Sequence, residues 1–302
     1  MLDISVIILT YNEEIHIKRC LDNISSLVKE VFIIDSFSTD RTLEVAKGYA
    51  NVTIFQNKWV NYATQFNWAL SNVPIKTKWI LRLDADEYLT DELVTEIQEK
   101  LPMLDDEVTG IVLPLRRVWM GKIIRRGMPK VKLLRLFQYG KAKSEVRLMD
   151  EHIQLQEGHS VEFTNEFADD NLNNLSWWTQ KHVGYAIREA VDLLDMEFNL
   201  TGSSNEDKEK NISEQAKAKR MTKHKYACLP LFWRSFAYFC YRYFLKLGFL
   251  EGKEGFLWHF LQGWWYRTLA DAKIYEIKKA CGNDKAKIKQ YLKVNYGIEL
   301  AN

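Results

Sequence analysis

The chain has 302 residues, 47% of them hydrophobic, 13% aromatic and 27% charged, with 42 Lys and Arg against 40 Asp and Glu. That length and composition can bury a sizeable core in one or two domains, which excludes disordered, collagenous and disulfide-framework chains. The formal net charge of +2 gives no reason to expect a nucleic-acid partner. Cys20, Cys228, Cys240 and Cys281 form no CxxC pair, so neither a zinc nor a redox motif is expected and a reducing compartment fits.

Met1-Leu2-Asp3 lacks the basic region of a signal peptide, and a cytoplasmic protein is expected. Ile4 to Thr10, rich in β-branched residues, reads as a buried strand. Asn12 is placed to cap the helix that follows, with Glu13 and Glu14 in its first turn and Ile15, Ile17, Cys20, Leu21 and Ile24 as its apolar stripe. Val31 to Ile34 is a second strand ending at Asp35. Ser38-Thr39-Asp40 opens a helix to about Tyr49, Val52 to Phe55 is a third strand, and 60–72 is a helix with Tyr62, Phe66, Ala69 and Leu70 on its apolar side. Trp79 to Leu83 is a fourth strand that runs into Asp84-Ala85-Asp86. This alternation predicts a mostly parallel sheet with helices on both faces.

After a helix near 91–101, β-rich stretches at 109–120, 121–127 and 131–138, joined by Gly110, Gly121 and Gly127, predict a mixed or antiparallel extension. From Leu175 onward the chain reads as helix, and the polar run Ser203 to Lys225 leads into a distinct helical region. The expected division is therefore an α/β catalytic domain over 1–200 and a helical region over 201–302.

In an open α/β sheet, ligands bind beyond the carboxyl ends of the strands, where loops and helix N-termini meet. Three strands end in polar residues: Thr10-Tyr11-Asn12-Glu13-Glu14, Asp35-Ser36, and Asp84-Ala85-Asp86-Glu87. Two carboxylates at i and i+2 past a strand repel each other unless a shared cation holds them, and hard oxygen ligands favour Mg²⁺ or Mn²⁺ with a diphosphate completing the shell. The first turn has no glycine, so a GxGxxG dinucleotide site is excluded; GxxxxGK[ST], HExxH and GxSxG are absent as well.

Ser5 to Glu14, Ile34 to Thr42 and Trp79 to Glu87, in that order, resemble the family 2 inverting glycosyltransferases of the GT-A fold over roughly residues 4–155. The remainder resembles a bacterial subgroup near lipopolysaccharide-core and exopolysaccharide glucosyltransferases, through Trp59 to Leu70, Met149-Asp150-Glu151-His152 and Trp177-Trp178-Thr179-Gln180-Lys181-His182. The resemblance implies that Thr10, Tyr11, Glu13 and Asp35 hold the base and ribose of a nucleotide sugar. It implies that Asp86 is the main metal carboxylate, with Asp84 against the ribose or reaching the metal through water. Phe37 and Arg41 depart from the family, where many members have glycine, which changes the shape of that turn around Ser36.

Inversion by direct displacement needs a carboxylate that takes the proton of the acceptor hydroxyl. In register, the resemblance places Glu151 at that position and Asp150 beside it; the alternative is that Asp150 caps a helix and Glu151 pairs with Arg147. Lys181 and His182 are candidates for the diphosphate or the metal, against the alternative of a packed or solvated histidine. Trp59, Gln65, Asn67 and Arg82 are candidates for the wall of the donor pocket.

In the last third, Phe232, Trp233, Phe236, Phe239, Cys240, Tyr243, Phe244 and Leu247 recur at helical spacing, and Phe256, Leu257, Phe260, Leu261, Trp264, Trp265 and Leu269 repeat the pattern. Two readings stay open: a packed helix pair, within the chain or against another copy in a homo-oligomer, and peripheral attachment at the cytoplasmic face of a membrane, aided by Lys217, Lys219, Arg220, Lys223 and Lys225. Arg234, Arg242 and Lys246 interrupt the apolar run, so a spanning helix is not expected. The expected activity is transfer of a hexose or N-acetylhexosamine from a nucleotide sugar to a glycan or glycolipid. A DxD phosphohydrolase fits less well, because that class carries its Asp pair after the first strand. A sugar-nucleotide-binding scaffold would keep Asp35 and Asp86 without needing Glu151.

Overall fold

The computed structural model describes residues 1–145, 152–202 and 214–300, with backbone alone for 214–220. The chain forms two compact units, Met1–Arg125 with Pro129–Asn173, and Arg126–Met128 with Asn174–Asn302.

The first unit is built on strands β1 (Leu2–Thr10), β2 (Val28–Asp35), β3 (Val52–Gln56) and β4 (Trp79–Asp84), with α1 (Glu14–Ile24), α2 (Thr42–Ala46) and α3 (Tyr62–Asn72) between them. These four strands are parallel, in the order β3-β2-β1-β4. The run Ile4 to Leu9 is buried throughout because the sheet is covered on both faces. Ile4, Val6 and Ile8 pack with Ile17, Cys20 and Leu21 of α1 on one face. Ile7 and Leu9 pack with Phe66 and Ala69 of α3 on the other. The two-residue period of a strand thus divides one apolar run between two cores.

The sheet continues through β5 (Glu87–Leu89), β6 (Val108–Trp119), β7 (Lys122–Ile124), β8 (Lys132–Gln138), β11 (His159–Glu162) and β12 (Phe167–Asp170). From β4 the order runs β8-β6-β12-β5, with β7 and β11 also paired to β6. β8 is antiparallel to β4, which realises the mixed extension expected after the fourth strand. β9 (Ala142–Ser144) and β10 (Ile153–Leu155) form a separate antiparallel pair. Helix α4 (Asp91–Lys100) is capped by Thr90, which accepts from Leu93 N–H, and buries Leu93 and Ile97 in the first core. The fold is α/β with the GT-A arrangement of a mostly parallel half and a mixed extension.

The second unit contains α5 (Leu175–Phe198), α6 (Glu214–Ala227), α7 (Trp233–Cys240), α8 (Gly252–Trp258), α9 (Tyr266–Cys281) and α10 (Lys285–Tyr296), with wide-turn π segments at 241–245 and 259–265. Ile187, Val191 and Leu194 of α5 share a core with Ile274 and Ile277 of α9 and Ile288 and Leu292 of α10. That apolar face places α5 in the second unit, whose main segment begins at Asn174. Ring contacts run unbroken from Trp233 to Phe236, on to Trp264 and Phe239, and through Tyr243 to Phe244, Phe249 and Phe256.

Candidate active site

Parallel pairing sets the polar strand ends side by side, with Thr10 in register with Asp35 and Leu9 with Asp84. The loops beyond are knitted together: Ser36 N–H donates to Thr10 O, Asn12 N–H to Ser38 Oγ, and Thr39 N–H to Asn12 Oδ1. Asn12 therefore does not cap α1, as the sequence led us to expect. It lies in the left-handed region, at φ 56°, and its amide is spent on the neighbouring loop. Glu14 N–H, in the first turn of α1, is met instead by Asp40 Oδ2 at 3.1 Å, while Asp40 Oδ1 accepts from Thr42 N–H at the start of α2. One carboxylate serves two helix N-termini across the gap between loops.

Asp35 is fully buried and saturated by protein donors: Thr10 Oγ1 at 3.1 Å, Ser38 N at 2.9 Å, Ser38 Oγ at 2.5 Å and Gln56 Nε2 at 3.2 Å. It acts first as the clasp of the loop 36–38. Ser36 Oγ accepts from Gln65 Nε2, and Asn67 holds both Ser144 N–H and Ser144 O, so these residues stiffen the wall. Tyr11 and Phe37 stand 59% and 53% exposed at the rim. Trp59 is partly exposed, edge-on to Tyr62.

The Asp84-Ala85-Asp86 turn is the electrostatic centre. Glu13, Asp84, Asp86, Glu87, Asp169 and Asp170 face Arg19, Arg82, Arg117 and Arg135, an excess of carboxylate. Buried Arg135 binds Glu87 at 2.5 Å and approaches Asp84 at 3.5 Å. Arg82 lies over the Phe66 ring with Nε 4.0 Å from Asp84, Arg117 binds Asp169, and Arg19 binds Asp170. Asp86 has no cation partner among the described residues; it accepts from Asn171 Nδ2 at 2.8 Å. Burial, then the negative charge of Asp169 and Asp84, pushes the Asp86 carboxyl up to about 6. Glu87 is pushed up by burial, against the pull of Arg135. The buried Cys20 thiol is also pushed up, by burial and then by Glu87 and Asp86.

His16 carries a role the sequence analysis missed. Fully buried on α1, its Nε2 accepts from Leu172 N–H at 2.9 Å, so Nδ1 holds the proton that it donates to Glu13 Oε2 at 2.6 Å. Asp169, Asp170 and Asn171 were missed too. The signal was available: two carboxylates and an amide directly after the apolar pair Phe167-Ala168, the same pattern that drew attention to Asp84 and Asp86.

Asp150 and Glu151 lie outside the described residues. Lys181 and His182 belong to the second unit. His182 stacks on Trp178 with its ring also against Tyr185 and Tyr266, the setting of a packed histidine, and Lys181 Nζ lies 4.5 Å from the centre of the Trp177 ring.

Among the described residues no group of three or more His, Cys, Asp or Glu side chains forms a closed metal cage. Mg²⁺ and its relatives commonly take one or two carboxylates and complete the shell with ligand phosphates and water. The carboxylate of Asp86, in excess over the neighbouring cations, fits that donor set.

Residues 5–152 match the sequence profile of Glycosyl transferase family 2, and this segment of the chain belongs to that family. A glycosyltransferase of Rickettsia bellii (strain RML369-C), itself uncharacterized, is 36% identical over 95 residues, which is 32% of this chain and 31% of the relative. The chain thus spans about a third of the length of that curated relative. Among solved structures, the mannosyltransferase PcManGT from Pyrobaculum calidifontis, in complex with GDP-Man and Mn²⁺, is similar over 90% of this chain and 87% of its own, at 14% identity and a TM-score of 0.49. S. aureus TarS 1-349 in complex with UDP-GlcNAc is similar over 63% and 66%, at 16% identity and a TM-score of 0.37.

Proposed function

We propose that the chain is a metal-dependent inverting glycosyltransferase. In this reading it moves a hexose or N-acetylhexosamine from a UDP-sugar to a glycan or glycolipid acceptor in bacterial envelope polysaccharide synthesis, at the inner face of the cytoplasmic membrane. The observation that carries this reading is the side-by-side placement of the β1, β2 and β4 ends, with Asp86 just past β4 and its carboxylate without a cation partner among the described residues. Membership of residues 5–152 in a glycosyl transferase family supports it.

Tyr11 offers an exposed ring to the base, Thr10, Glu13 and Asp35 shape the ribose end, and Asp84 and Asp86 face the diphosphate. A divalent ion held by Asp86, with Asp84 in support, would offset the charge of the departing diphosphate. Arg82 and Arg135 keep Asp84 in place. The acceptor oxygen bonds to the anomeric carbon as the bond from that carbon to the diphosphate breaks, and Glu151 takes the hydroxyl proton. Asp150 is the alternative base. Lys181 is the cation proposed for the diphosphate; His182, ringed by aromatics, is the weaker member of that pair.

The test is nucleotide release from UDP-glucose, UDP-galactose, UDP-N-acetylglucosamine and GDP-mannose with Mn²⁺, alone and with a glycan acceptor. Release from a UDP-sugar that stops on chelation is the expected result. Release from none of the donors, or release indifferent to chelation, overturns the reading.

A further inference from the structure

We infer that the second unit carries a membrane-docking ridge, an exposed aromatic edge over 229–256 that seats the protein on an anionic lipid surface. The inference deepens the membrane placement of the proposed function and rests on that part of it alone, not on the transfer chemistry.

The ridge is large and open. Trp233 is 72% exposed, Leu245 75% and Phe244 55%, with Leu250, Phe249 and Phe256 exposed beside them. The exposed rings of Trp233, Phe244, Phe249 and Phe256 are linked through Phe236, Trp264, buried Phe239 and Tyr243. Soluble monomers seldom leave contiguous apolar patches of this kind in water. Two of the exposed residues are held at a backbone cost: Phe232 at φ 67° and Leu247 at φ 58° occupy the left-handed region, unusual for side chains with a Cβ. Phe232 N–H is held by Asp271 Oδ2 at 2.8 Å, and its side chain is left 41% exposed at the edge of the ridge.

The charge distribution selects the partner. There is no Asp or Glu between Tyr226 and Leu250. The arginines of this stretch face inward: Arg234 binds Asp271 and the Ala227 carbonyl, and Arg242 binds Gln262 and the Gly127 carbonyl. Lys246 and Lys253 are exposed, and Lys246 Nζ lies 5.5 Å from the centre of the Tyr241 ring, a pairing suited to a lipid interface. Within 229–256 the carboxylates are Glu251, buried against Arg126, and Glu254, partly exposed beside Lys253; an anionic bilayer supplies both the apolar bed and a dense opposite charge. No described helix is long and apolar enough to cross a membrane, so the contact lies in the interface. Lys223, expected among the lipid-facing cations, is tied to Glu189 and Asp192.

Flotation of the full chain tests this, using vesicles of phosphatidylcholine with and without phosphatidylglycerol. Wild type is expected to float with the anionic vesicles at low salt and several-fold less at high salt. The pair Trp233→Ser with Leu245→Ser, and separately Lys246→Glu with Lys253→Glu, should each lower the floated fraction about tenfold while circular dichroism stays unchanged. Both pairs sit on the exposed surface, so folding is spared. Wild type that stays unfloated at either salt, or variants that float like wild type, would overturn the inference. A dimer that the serine pair dissolves, without flotation of wild type, would assign the ridge to a second copy and overturn it equally.

Discussion

Asn171 Nδ2 donates to Asp86 Oδ2 across 2.8 Å, joining residues 85 apart in the chain. β12 makes the meeting by pairing with β5, directly after the Asp84-Ala85-Asp86 turn, and Asp170 N–H donates to Asp86 O to close the join. This hydrogen bond opposes the burial and like charge that push the Asp86 carboxyl up.

Removing that donor should therefore act through Asp86. Asn171→Ala is expected to weaken Mn²⁺-dependent UDP binding roughly tenfold, the scale of one lost hydrogen bond to a charged group. Calorimetric titration at fixed Mn²⁺ measures it, and an unchanged affinity would detach Asn171 from the site.

Phe37 links strain to binding. Its φ of 63° is a conformation in which a side chain costs about 1–2 kcal/mol, yet the ring stays exposed at the rim on the loop bound to that of Tyr11. Phe37→Gly should raise stability by about 1 kcal/mol or less, since glycine returns part of the gain as unfolded-chain entropy. The same change should weaken UDP binding roughly threefold to tenfold through loss of the aromatic surface. Stability and affinity moving in opposite directions is the expected signature in paired thermal and binding measurements. If affinity holds while stability rises, the ring has no part in the site.

Glu96 predicts acid sensitivity. Burial disfavours its charge, but Lys100 and the backbone N–H groups of Thr164 and Asn165 outweigh that and bring the carboxyl down to about 2. A lowered folded value means its contribution is complete above the unfolded value of 4.5 and is lost as pH falls from there toward 2. The loss amounts to roughly 3 kcal/mol at most. Denaturant melts between pH 6 and pH 2 should show a steeper decline for wild type than for Glu96→Gln; parallel curves would contradict the assignment.

The proton acceptor is separable from the donor site. Glu151→Gln should keep UDP affinity and lose transfer by roughly 10²-fold or more, because proton abstraction alone is removed. Transfer that survives in Glu151→Gln and disappears in Asp150→Asn would move the base to Asp150.

Local signals made half of the fold legible. The run Ile4 to Thr10 could be read as a doubly buried strand because five of its seven residues are β-branched and no charge interrupts it. The helix expected over 60–72 is present as Tyr62–Asn72, opened by Asn61, whose Oδ1 accepts from Thr64 N–H. The polar strand ends were legible because a parallel sheet must put them together. What stayed hidden was set by pairing at long sequence separation. β12 is four residues long and takes its place between β6 and β5, which no local pattern announces. With it came Asp169, Asp170 and Asn171, and the His16 contact to Leu172. Asn12 deceived for a related reason: its capping sequence is genuine, but Asp40 from the neighbouring loop reaches the helix first. The aromatic stripes of the last third were visible as stripes, but helical spacing alone could not divide exposed Trp233 and Phe244 from buried Phe239.

The central claim is that Asp86 anchors a divalent-dependent nucleotide site, and calorimetric titration of UDP with and without Mn²⁺ tests it most directly. Wild type should bind UDP tightly only with Mn²⁺, and Asp86→Ala should lose that dependence while remaining folded, since removal of its buried like charge relieves repulsion from Asp84 and Asp169. Asp86→Ala that binds UDP as tightly as wild type, with the Mn²⁺ requirement intact, would contradict the account.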